Sequence, residues 1–184
     1  MNVMPFDELN TFKASLPTHL ENGKIKSKED LDEILDMLED LFLLAYANGV
    51  ASSNLSLASN YVPTLDEVLD TIDRKIAGKT WRERVAEYYD NGGTIADIER
   101  IADTETHRDT NAGAYDAAVA GGATVKIWHT MEDDRVRDTH VWLDGVSAPL
   151  DGEFYNYKGE STLYPGQWGV AEEDCNCRCW VSYA

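Results

Sequence analysis

Three cysteines at alternate positions near the end of the chain are the residues best suited to chemistry: Cys175, Cys177 and Cys179. Thiolate sulfur is a preferred ligand of zinc. On an extended strand the three side chains would share one face, but their sulfurs would be too widely spaced to bind one tetrahedral ion easily. A tight turn at Asn176 or Arg178 would bring two of them together. The spacing therefore leaves open a zinc site, buried reduced thiols, a disulfide and a reactive thiol.

A zinc site built on these thiols needs further ligands, because a structural site takes four nitrogen or sulfur donors. His140 is the best additional candidate by residue type, and Asp174 and His129 are poorer ones. His129 lies on a predicted strand, where a histidine usually has a structural role. His107 falls on the polar side of a predicted helix, so we do not expect it to be a ligand or a catalytic residue.

The sequence shows no clear catalytic constellation. A nucleophilic cysteine would need a base within hydrogen-bond reach and a lowered thiol pKa, and the sequence indicates neither. Asp133 and Asp134 could bind a divalent ion, but adjacent acids point in different directions unless the backbone turns. Residues 78–80 (Gly-Lys-Thr) are typical of the end of a phosphate-binding loop, yet Asp73 stands where that loop requires glycine. We therefore assign no catalytic and no cofactor-binding residue.

The elements that must position these residues begin with four predicted helices. Each starts with a Ser or Thr that is followed three residues later by an acid, which is the pattern of a capping box. Apolar residues then recur at a spacing of three and four. The start signals are Ser27/Asp30, Thr64/Glu67, Thr80/Glu83 and Thr94/Asp97, and the predicted ends are Asn48–Gly49, Gly78, Asn91–Gly93 and Ala120. On the first helix, Leu31, Leu35, Leu38 and Phe42 predict a core or partner seam.

After Gly122 the pattern changes to short β-prone segments separated by turns. Residues 123–130 predict a strand, residues 153–157 predict another, and residues 135–143 fit a short helix or a strand equally well. The predicted fold class is therefore α+β, with a helical N-terminal part followed by a small, loop-rich α/β module. A module of about 65 residues is marginal alone, so we expect it to pack on the helices, to be stabilised by zinc, or both.

The composition indicates a globular chain with an acidic surface. The 16 Lys and Arg residues against 34 Asp and Glu residues give a formal net charge of −18. Affinity for phosphate comes mainly from Lys and Arg, so we expect any contact with DNA to be weak. The sequence has no signal-peptide pattern and no apolar run close to the roughly 18 residues of a membrane-spanning helix. We expect a soluble protein made in a cytosol, where clustered cysteines stay reduced or bind a metal.

One ordered set of motifs resembles a known family. The set comprises Thr104-Glu105-Thr106, Ala112-Gly113, Gly121 or Gly122, the block from Asp133 to His140, Leu143-Asp144-Gly145, Phe154, Pro165-Gly166 and the block from Asn176 to Cys179. In this order and spacing it resembles the phage Mu F-like minor head protein family, also called the SPP1 gp7-type head morphogenesis domain. The resemblance covers about residues 94–181, and residues 1–93 resemble no family that we can name.

This resemblance implies a structural role rather than an enzymatic one. Members are minor head proteins of tailed phages or prophages, are associated with the portal vertex, and act in head assembly, DNA packaging or DNA delivery. The implied partners are the portal protein and, in addition, the major capsid or scaffold protein, and the implied location is the virion head after assembly in the host cytoplasm. Residues 94–184 would then form the head domain, and residues 1–93 an acidic helical docking element.

The resemblance also implies a metal site. Many relatives have Cys-x-x-Cys at the positions of Arg137 to His140, and a position that accepts either His or Cys is typical of a zinc ligand. The implied ligands of a structural zinc ion are His140, Cys177 and Cys179, with Cys175 or Asp174 as the fourth. Relatives also tend to have Arg directly before the Thr-Glu-Thr motif, where this chain has Asp103, so an anion-binding role of that position is not carried over.

Two other functions remain open at this point. A metal-dependent nuclease or toxin could use His140, Asp133, Asp134 and the cysteines, although the sequence shows no basic groove for a nucleic acid. An acidic adaptor that binds a host protein would need the cysteine motif only for stability.

Overall fold

The computed structural model describes residues 7–53 and 61–184 and confirms the α+β class. The N-terminal part consists of α1 (Asp7–Ser15), a 3₁₀ helix (Leu16–His19), β1 (Leu20–Glu21), β2 (Lys24–Ile25), α2 (Lys28–Ser52), α3 (Leu65–Ile72), α4 (Trp81–Asn91) and α5 (Ile95–Ala120). The C-terminal part consists of β3 (Val125–His129), α6 (Asp138–Val141), β4 (Ser147–Pro149), β5 (Phe154–Tyr155), β6 (Ser161–Thr162), α7 (Ala171–Asp174) and β7 (Trp180–Tyr183).

The four predicted helix starts are confirmed. The Ser27 hydroxyl accepts a hydrogen bond from the backbone N–H of Asp30, and capping boxes open the next three helices at Thr64, Thr80 and Thr94. Each cap satisfies backbone N–H groups that have no partner within the first helical turn. Because this signal is local, the sequence alone was enough to locate the helix starts.

Helix α2 crosses α5 where two glycines let the helix backbones touch. A Cβ atom on Gly49 or on Gly113 would lie 2.0 or 2.1 Å from a backbone carbonyl oxygen of the other helix. The predicted end of α2 at Asn48–Gly49 is therefore wrong: Gly49 serves close packing, and the helix continues to Ser52. The sequence did not decide whether residues 50–60 form a loop or continue the helix. Within this segment, residues 54–60 lie outside the described ranges.

Helix α3 ends at Ile72, not at Gly78 as predicted. The cause lies outside the helix, because the guanidinium group of Arg108 on α5 donates hydrogen bonds to the carbonyl oxygens of Ile72 and Arg74 at 2.6 and 3.0 Å. The chain then makes a tight turn in which Ile76 and Lys79 pair. Gly78 occupies this turn with a φ of 83°, a conformation that favours glycine.

The C-terminal part is built on a three-stranded antiparallel sheet of order β4-β3-β7. Strand β3 confirms the strand predicted at residues 123–130, and it pairs Trp128 with Val181 and Ile127 with Ser147. The strand predicted at residues 153–157 is reduced to β5, which pairs only with β6. The undecided segment 135–143 contains α6, so its regular structure is helical.

One hydrophobic core extends through both parts of the chain. Of the predicted seam on α2, Leu31, Leu38 and Phe42 are buried, and Leu35 packs against them from a partly exposed position. The core continues into the C-terminal part through Trp128, Leu143, Phe154, Tyr164 and Val181. Residues on both sides of position 94 therefore share one interior. No helix within the described ranges is long and apolar enough to cross a membrane.

Candidate functional site

The three cysteines lie where the chain turns from α7 into β7. Asn176 has a φ of 55°, so the chain turns tightly between Cys175 and Cys177. The turn directs Cys177 and Cys179 into the interior, where each is only 3% exposed, whereas Cys175 is partly exposed. All three are free thiols, so the structure contains no disulfide between them.

The imidazole of His140 faces both buried thiols. Its Nδ1 lies 3.6 Å from Sγ of Cys177 and 3.5 Å from Sγ of Cys179, and the ring is 1% exposed. On the other side of the ring, Nε2 lies 3.1 Å from a carboxylate oxygen of Glu173. Trp168 stacks on the imidazole with the ring centroids 5.7 Å apart, so packing also holds its orientation. Helix α6 thus contributes a fixed nitrogen donor to the two sulfurs.

Glu173 is itself held in place by two further groups. Its carboxylate accepts hydrogen bonds from the Thr139 hydroxyl at 2.7 Å and from the Lys158 ammonium group at 3.0 Å. These partners lower the pKa of the buried Glu173 carboxyl, against the opposing effect of its burial. The ionised carboxylate lies at ion-pair distance from the His140 ring, although the contact does not have hydrogen-bond geometry. The sequence analysis missed Glu173, since only the fold brings α7 beside α6.

His107 is the second histidine at the cysteine cluster, and its expected position on a polar helix face is wrong. It is 4% exposed because the C-terminal part covers this side of α5, and its Nε2 lies 2.6 Å from the carbonyl oxygen of Cys179. The amide nitrogen of Asn111 also lies 3.0 Å from Nε2, but it donates to the carbonyl oxygens of His107 and Cys179 at 3.1 and 3.2 Å. Because the Cys179 carbonyl oxygen only accepts hydrogen bonds, its contact with the ring assigns the hydrogen to Nε2. The other nitrogen, Nδ1, is buried and has no hydrogen-bond partner among the described residues. The ring is also among the groups that lower the pKa of Cys177.

The two thiols have unequal acidities. The hydrogen bond with Cys179, together with burial, raises the pKa of Cys177 to about 11. The same hydrogen bond lowers the pKa of Cys179, against the effect of burial, and the charges of Arg137 and Arg178 act in the same direction as the bond. The environment therefore stabilises negative charge on Cys179, and the thiolate is the form in which sulfur binds metals.

Other metal candidates from the sequence lie outside this cluster. Ligand atoms of His140, Cys177 and Cys179 all lie within 4.8 Å of one another, and neither Cys175 nor His107 is part of that group. Both oxygens of Asp174 accept backbone N–H groups, from Trp168 at 3.0 Å and Gly169 at 2.8 Å. Asp174 therefore holds a loop and has no oxygen directed to the thiols.

His129 also has a structural position. Its ring stacks on Trp180 with centroids 4.1 Å apart, and its Nε2 forms a hydrogen bond of 2.8 Å with the Ser182 hydroxyl. These contacts belong to the pairing of β3 with β7, on which His129 lies opposite Trp180.

Asp133 is engaged by Arg178 rather than by a metal-binding group. The guanidinium donates to both carboxylate oxygens, at 2.7 and 2.5 Å, and the backbone N–H of Arg135 donates to the same carboxylate. The guanidinium of Arg178 is the main cause that lowers the pKa of Asp133 to about 2. The ion pair links the turn at residues 133–136 to the cysteine turn. Asp133 therefore stabilises the position of that turn without being a ligand candidate.

The middle of α5 is polar yet fully buried, a feature that sequence periodicity did not reveal. Every residue from 104 to 111 is at most 8% exposed. Arg108 pairs with Glu105 at 2.8 Å and with Asp109 at 3.2 Å, and Arg84 also contacts the Glu105 carboxylate. Gly166 packs directly against Arg108, since a Cβ atom on Gly166 would lie 2.9 Å from the Cα atom of Arg108. The loop at 164–169 and the N-terminal helices thus enclose α5 from different sides.

A cavity of about 630 Å³ borders the thiol and histidine cluster. His107 and Cys177 line its inner side, and Arg135, Arg137 and Arg178 line it as well. The side chain of Arg135 is 72% exposed, so the cavity reaches the surface. A small ion could therefore approach the cluster from solvent.

Comparison with known proteins identifies one relative named as a head protein and one named as an enzyme. The chain is 34% identical to the minor head protein GP7 of Bacillus phage SPP1 over 93 residues, which cover 49% of this chain and 30% of that protein. It is 29% identical to the NAD(+)–arginine ADP-ribosyltransferase EFV of Enterococcus faecalis over 162 residues, which cover 70% of this chain and 33% of that protein. The chain thus spans about a third of the length of either relative. No solved structure gives a significant match.

The family model described as "Phage Mu protein F like protein" matches residues 65–182. The match begins before residue 94, where the motifs alone set the boundary, and it includes α3, α4, α5 and the whole C-terminal part with the cysteine turn. It covers well over half of the chain, and the chain therefore belongs to the phage Mu protein F like family.

Proposed function

We propose that this protein is a minor structural component of a tailed-phage or prophage head. The observation that carries this proposal is the family match over residues 65–182, together with the similarity to a phage minor head protein. The match coincides with the part of the fold that encloses α5 and the cysteine turn. On this proposal the shared architecture serves assembly, and the protein acts at the portal vertex in head assembly, DNA packaging or DNA delivery.

The proposed role is not catalytic. The groups best suited to chemistry are turned inward, with His140, Cys177 and Cys179 buried. The nuclease alternative would need Asp133 beside His140, but Asp133 is bound on both oxygens by Arg178. These contacts favour a structural use of the same residues.

The similarity to an ADP-ribosyltransferase is compatible with this proposal. The shares of the chain that the two relatives cover add up to more than its full length, so their matched segments overlap. A segment common to a head protein and a transferase is explained most simply as a module without transferase activity. We propose that the transferase activity named for that relative belongs to the two thirds of it that this chain does not match.

The proposed partners are the portal protein and, in addition, the major capsid or scaffold protein. The exposed acidic side of α2, opposite the buried seam, is the proposed contact, since a chain of net charge −18 is attracted to basic protein surfaces and repelled by DNA. Its location would be the virion head, after assembly in the host cytoplasm.

Quantitative mass spectrometry of purified proheads and virions from the phage or prophage that encodes the chain tests the head role. We expect the protein at low copy, in constant ratio to the portal protein across a density gradient. Absence from both proheads and virions would overturn the proposal. A pull-down from infected cells that recovered a host protein and no head protein would instead support the adaptor alternative.

Incubation of the purified protein with DNA, RNA or NAD⁺, in the presence of Mg²⁺, Mn²⁺ or Zn²⁺, tests the non-catalytic role. We expect no turnover above that of a buffer control. Nucleic-acid cleavage that disappears in His140→Ala would establish the nuclease alternative, and consumption of NAD⁺ would establish a transferase-like activity.

A further inference from the structure

We infer that His107, His140, Cys177 and Cys179 together bind one structural zinc ion, and that His107 takes the fourth position expected for Cys175 or Asp174. The inference concerns the stability of the fold and does not depend on the head role. It rests on three buried donors from α6 and the turn before β7 that lie within 4.8 Å of one another, and on a buried, unpartnered nitrogen of His107 on α5, which lines the adjoining cavity.

The spacing of the first three donors already fits a tetrahedral ion. Zinc binds thiolate sulfur at about 2.3 Å and imidazole nitrogen at about 2.0–2.1 Å, so a tetrahedral angle separates the nitrogen from each sulfur by about 3.6 Å. Nδ1 of His140 lies 3.6 and 3.5 Å from the sulfurs of Cys177 and Cys179. A single S–H···N hydrogen bond would explain one of these distances, whereas a shared ion explains both.

The fourth donor is the unpartnered nitrogen of His107. The hydrogen on Nε2 is directed to the carbonyl oxygen of Cys179, which leaves a lone pair on Nδ1, and that atom is buried without a partner in the described residues. A buried polar atom without a partner carries an energetic cost unless a further group satisfies it. The ring lowers the pKa of the Cys177 thiol and lines the same cavity as that residue. His107 is not among the donors that lie within 4.8 Å of one another, so the ring must move toward the other three donors to complete the site.

Both histidines have the supporting contacts that metal-bound imidazoles usually show. A metal-binding histidine generally donates its second N–H to a carboxylate or a backbone carbonyl, which fixes the tautomer and the ring orientation. His140 has Nε2 3.1 Å from a Glu173 oxygen, which is an ion-pair distance without hydrogen-bond geometry, and His107 directs Nε2 to the Cys179 carbonyl at 2.6 Å. In each ring Nδ1 is therefore left as the donor for the ion.

The charges of the set also favour zinc. Two thiolates balance the charge of Zn²⁺, and mixed sulfur and nitrogen ligands select zinc over the oxygen-binding ions Mg²⁺ and Ca²⁺. Lys126 and the carboxylates of Asp174 and Asp133 are all engaged by other groups, so they do not compete for the ion. The ion would join α5 to α6 and to the C-terminal strand.

Elemental analysis and native mass spectrometry of the full chain, purified with reductant and without added metal, test the site. We expect about one zinc per chain in the wild type and loss of zinc in Cys177→Ser. Cys175→Ser is the matched control, since it removes a thiol from the same turn but outside the cluster, and it should retain the metal. His107→Gln should lower the zinc affinity by at least tenfold in competition with a chromophoric chelator, while His129→Gln should leave it unchanged.

Replacement of zinc by Co²⁺ separates ligand loss from misfolding. The wild type should show the visible absorption of tetrahedral Co²⁺ with a thiolate charge-transfer band, and His107→Gln should keep that band with an altered d–d envelope. A metal-free wild type whose melting temperature does not change with chelator would overturn the zinc site. Zinc lost in Cys175→Ser but retained in His107→Gln would overturn the assignment of the fourth ligand.

Discussion

At the scale of single residues, the positions of the hydrogens on His107 and His140 determine whether these rings can bind a metal ion together with the two buried thiols. His140 has Nδ1 beside the two sulfurs and Nε2 near the Glu173 carboxylate, whereas His107 has Nε2 on the Cys179 carbonyl oxygen and a buried Nδ1 without a partner among the described residues. Without Glu173 or the Cys179 carbonyl, either ring could place its hydrogen toward a sulfur and would then be no ligand. The residues that hold these tautomers matter as much as the donors themselves.

Lys126 is a second residue whose charge the fold controls. It is fully buried, its ammonium group donates to the carbonyl oxygen of Leu163 at 2.8 Å, and it lies over the rings of Tyr115 and Phe154. Burial lowers the pKa of Lys126 to about 8, although the charges of Asp151 and Glu153 oppose the shift. The unfolded chain therefore binds this proton more tightly than the folded chain does. At any pH where the unfolded chain is protonated at Lys126, this difference lowers the free energy of unfolding.

We predict that this penalty makes the effect of Lys126→Met depend on pH. Between about pH 8 and pH 10.5 the unfolded chain binds more protons at this site than the folded chain, so the free energy of unfolding of the wild type rises with pH. The wild type should gain stability relative to Lys126→Met over this window, measured by urea unfolding at pH 7.5, 9 and 10. The exposed Lys24→Met is the control and should show a constant difference. A constant difference for Lys126→Met as well would contradict the prediction.

At the scale of elements, α5 is the helix around which the others are arranged. Its glycine contact with α2 lets two long helices approach to backbone contact, and its buried Arg108 sets the end of α3. Both effects come from contacts that α5 makes with other elements of the chain. A pattern of helix propensity contains no information about them.

We predict that Gly113→Ala destabilises the fold, although alanine normally favours a helix by about 0.5–1 kcal/mol over glycine. The new Cβ would lie 2.1 Å from the carbonyl oxygen of Tyr46, so the helices must separate. Overpacking of this kind costs about 1–3 kcal/mol, and the free energy of unfolding should fall by at least that amount in a urea titration. Asn48→Ala, at an exposed position of α2, is the control and should be neutral or slightly stabilising. An unchanged midpoint in Gly113→Ala would mean that the helices are not in contact.

We predict a larger loss for Arg108→Met. The change removes the hydrogen bonds to Ile72 and Arg74, leaves the buried carboxyl group of Asp109 without its cation, and leaves Glu105 with Arg84 alone. Breaking a buried pair in this way costs about 3–5 kcal/mol. Arg100→Met, which removes a partly exposed pair with Asp97, should cost about 1 kcal/mol or less. Equal midpoints of the two variants in denaturant would show that the polar interior of α5 contributes no stability.

At the scale of the whole molecule, the acidic surface and the buried polar interior have different roles. Exposed carboxylates cover the outer side of α2, among them Asp32, Glu33 and Asp36, while its inner side belongs to the shared core. The charged groups of the interior are bound by one another or by backbone groups, so the exposed carboxylates are the charges that a partner can reach. This distribution leads to a prediction about assembly.

If the proposed head role is correct, binding to the portal protein should weaken as salt rises, because the contact is electrostatic. The triple change Asp32→Asn, Glu33→Gln and Asp36→Asn should reduce both the affinity and its salt dependence, measured by biolayer interferometry between about 50 and 500 mM NaCl. The matched control removes three exposed carboxylates elsewhere, in Glu132→Gln, Asp134→Asn and Glu172→Gln, and should bind like the wild type. Binding that is indifferent to salt would remove the electrostatic contact from the proposal.

The sequence by itself determined those features that depend on neighbours along the chain. Helix starts at Ser27, Thr64, Thr80 and Thr94 follow from side chains that cap their own helix, and the α+β class follows from the change of period after Gly122. The motif order identified the family, and residue type alone selected His140, Cys177 and Cys179, which the fold brings together.

Only the tertiary structure decided which further groups complete the site and where two helices end. His107 turns inward because the C-terminal part covers α5, Glu173 meets His140 because α7 packs beside α6, and Cys175 remains outside the cluster because the turn at Asn176 separates it from the other thiols. Helix α3 ends where Arg108 binds its carbonyl groups. Each of these outcomes depends on contacts between residues distant in sequence, and local spacing does not encode them.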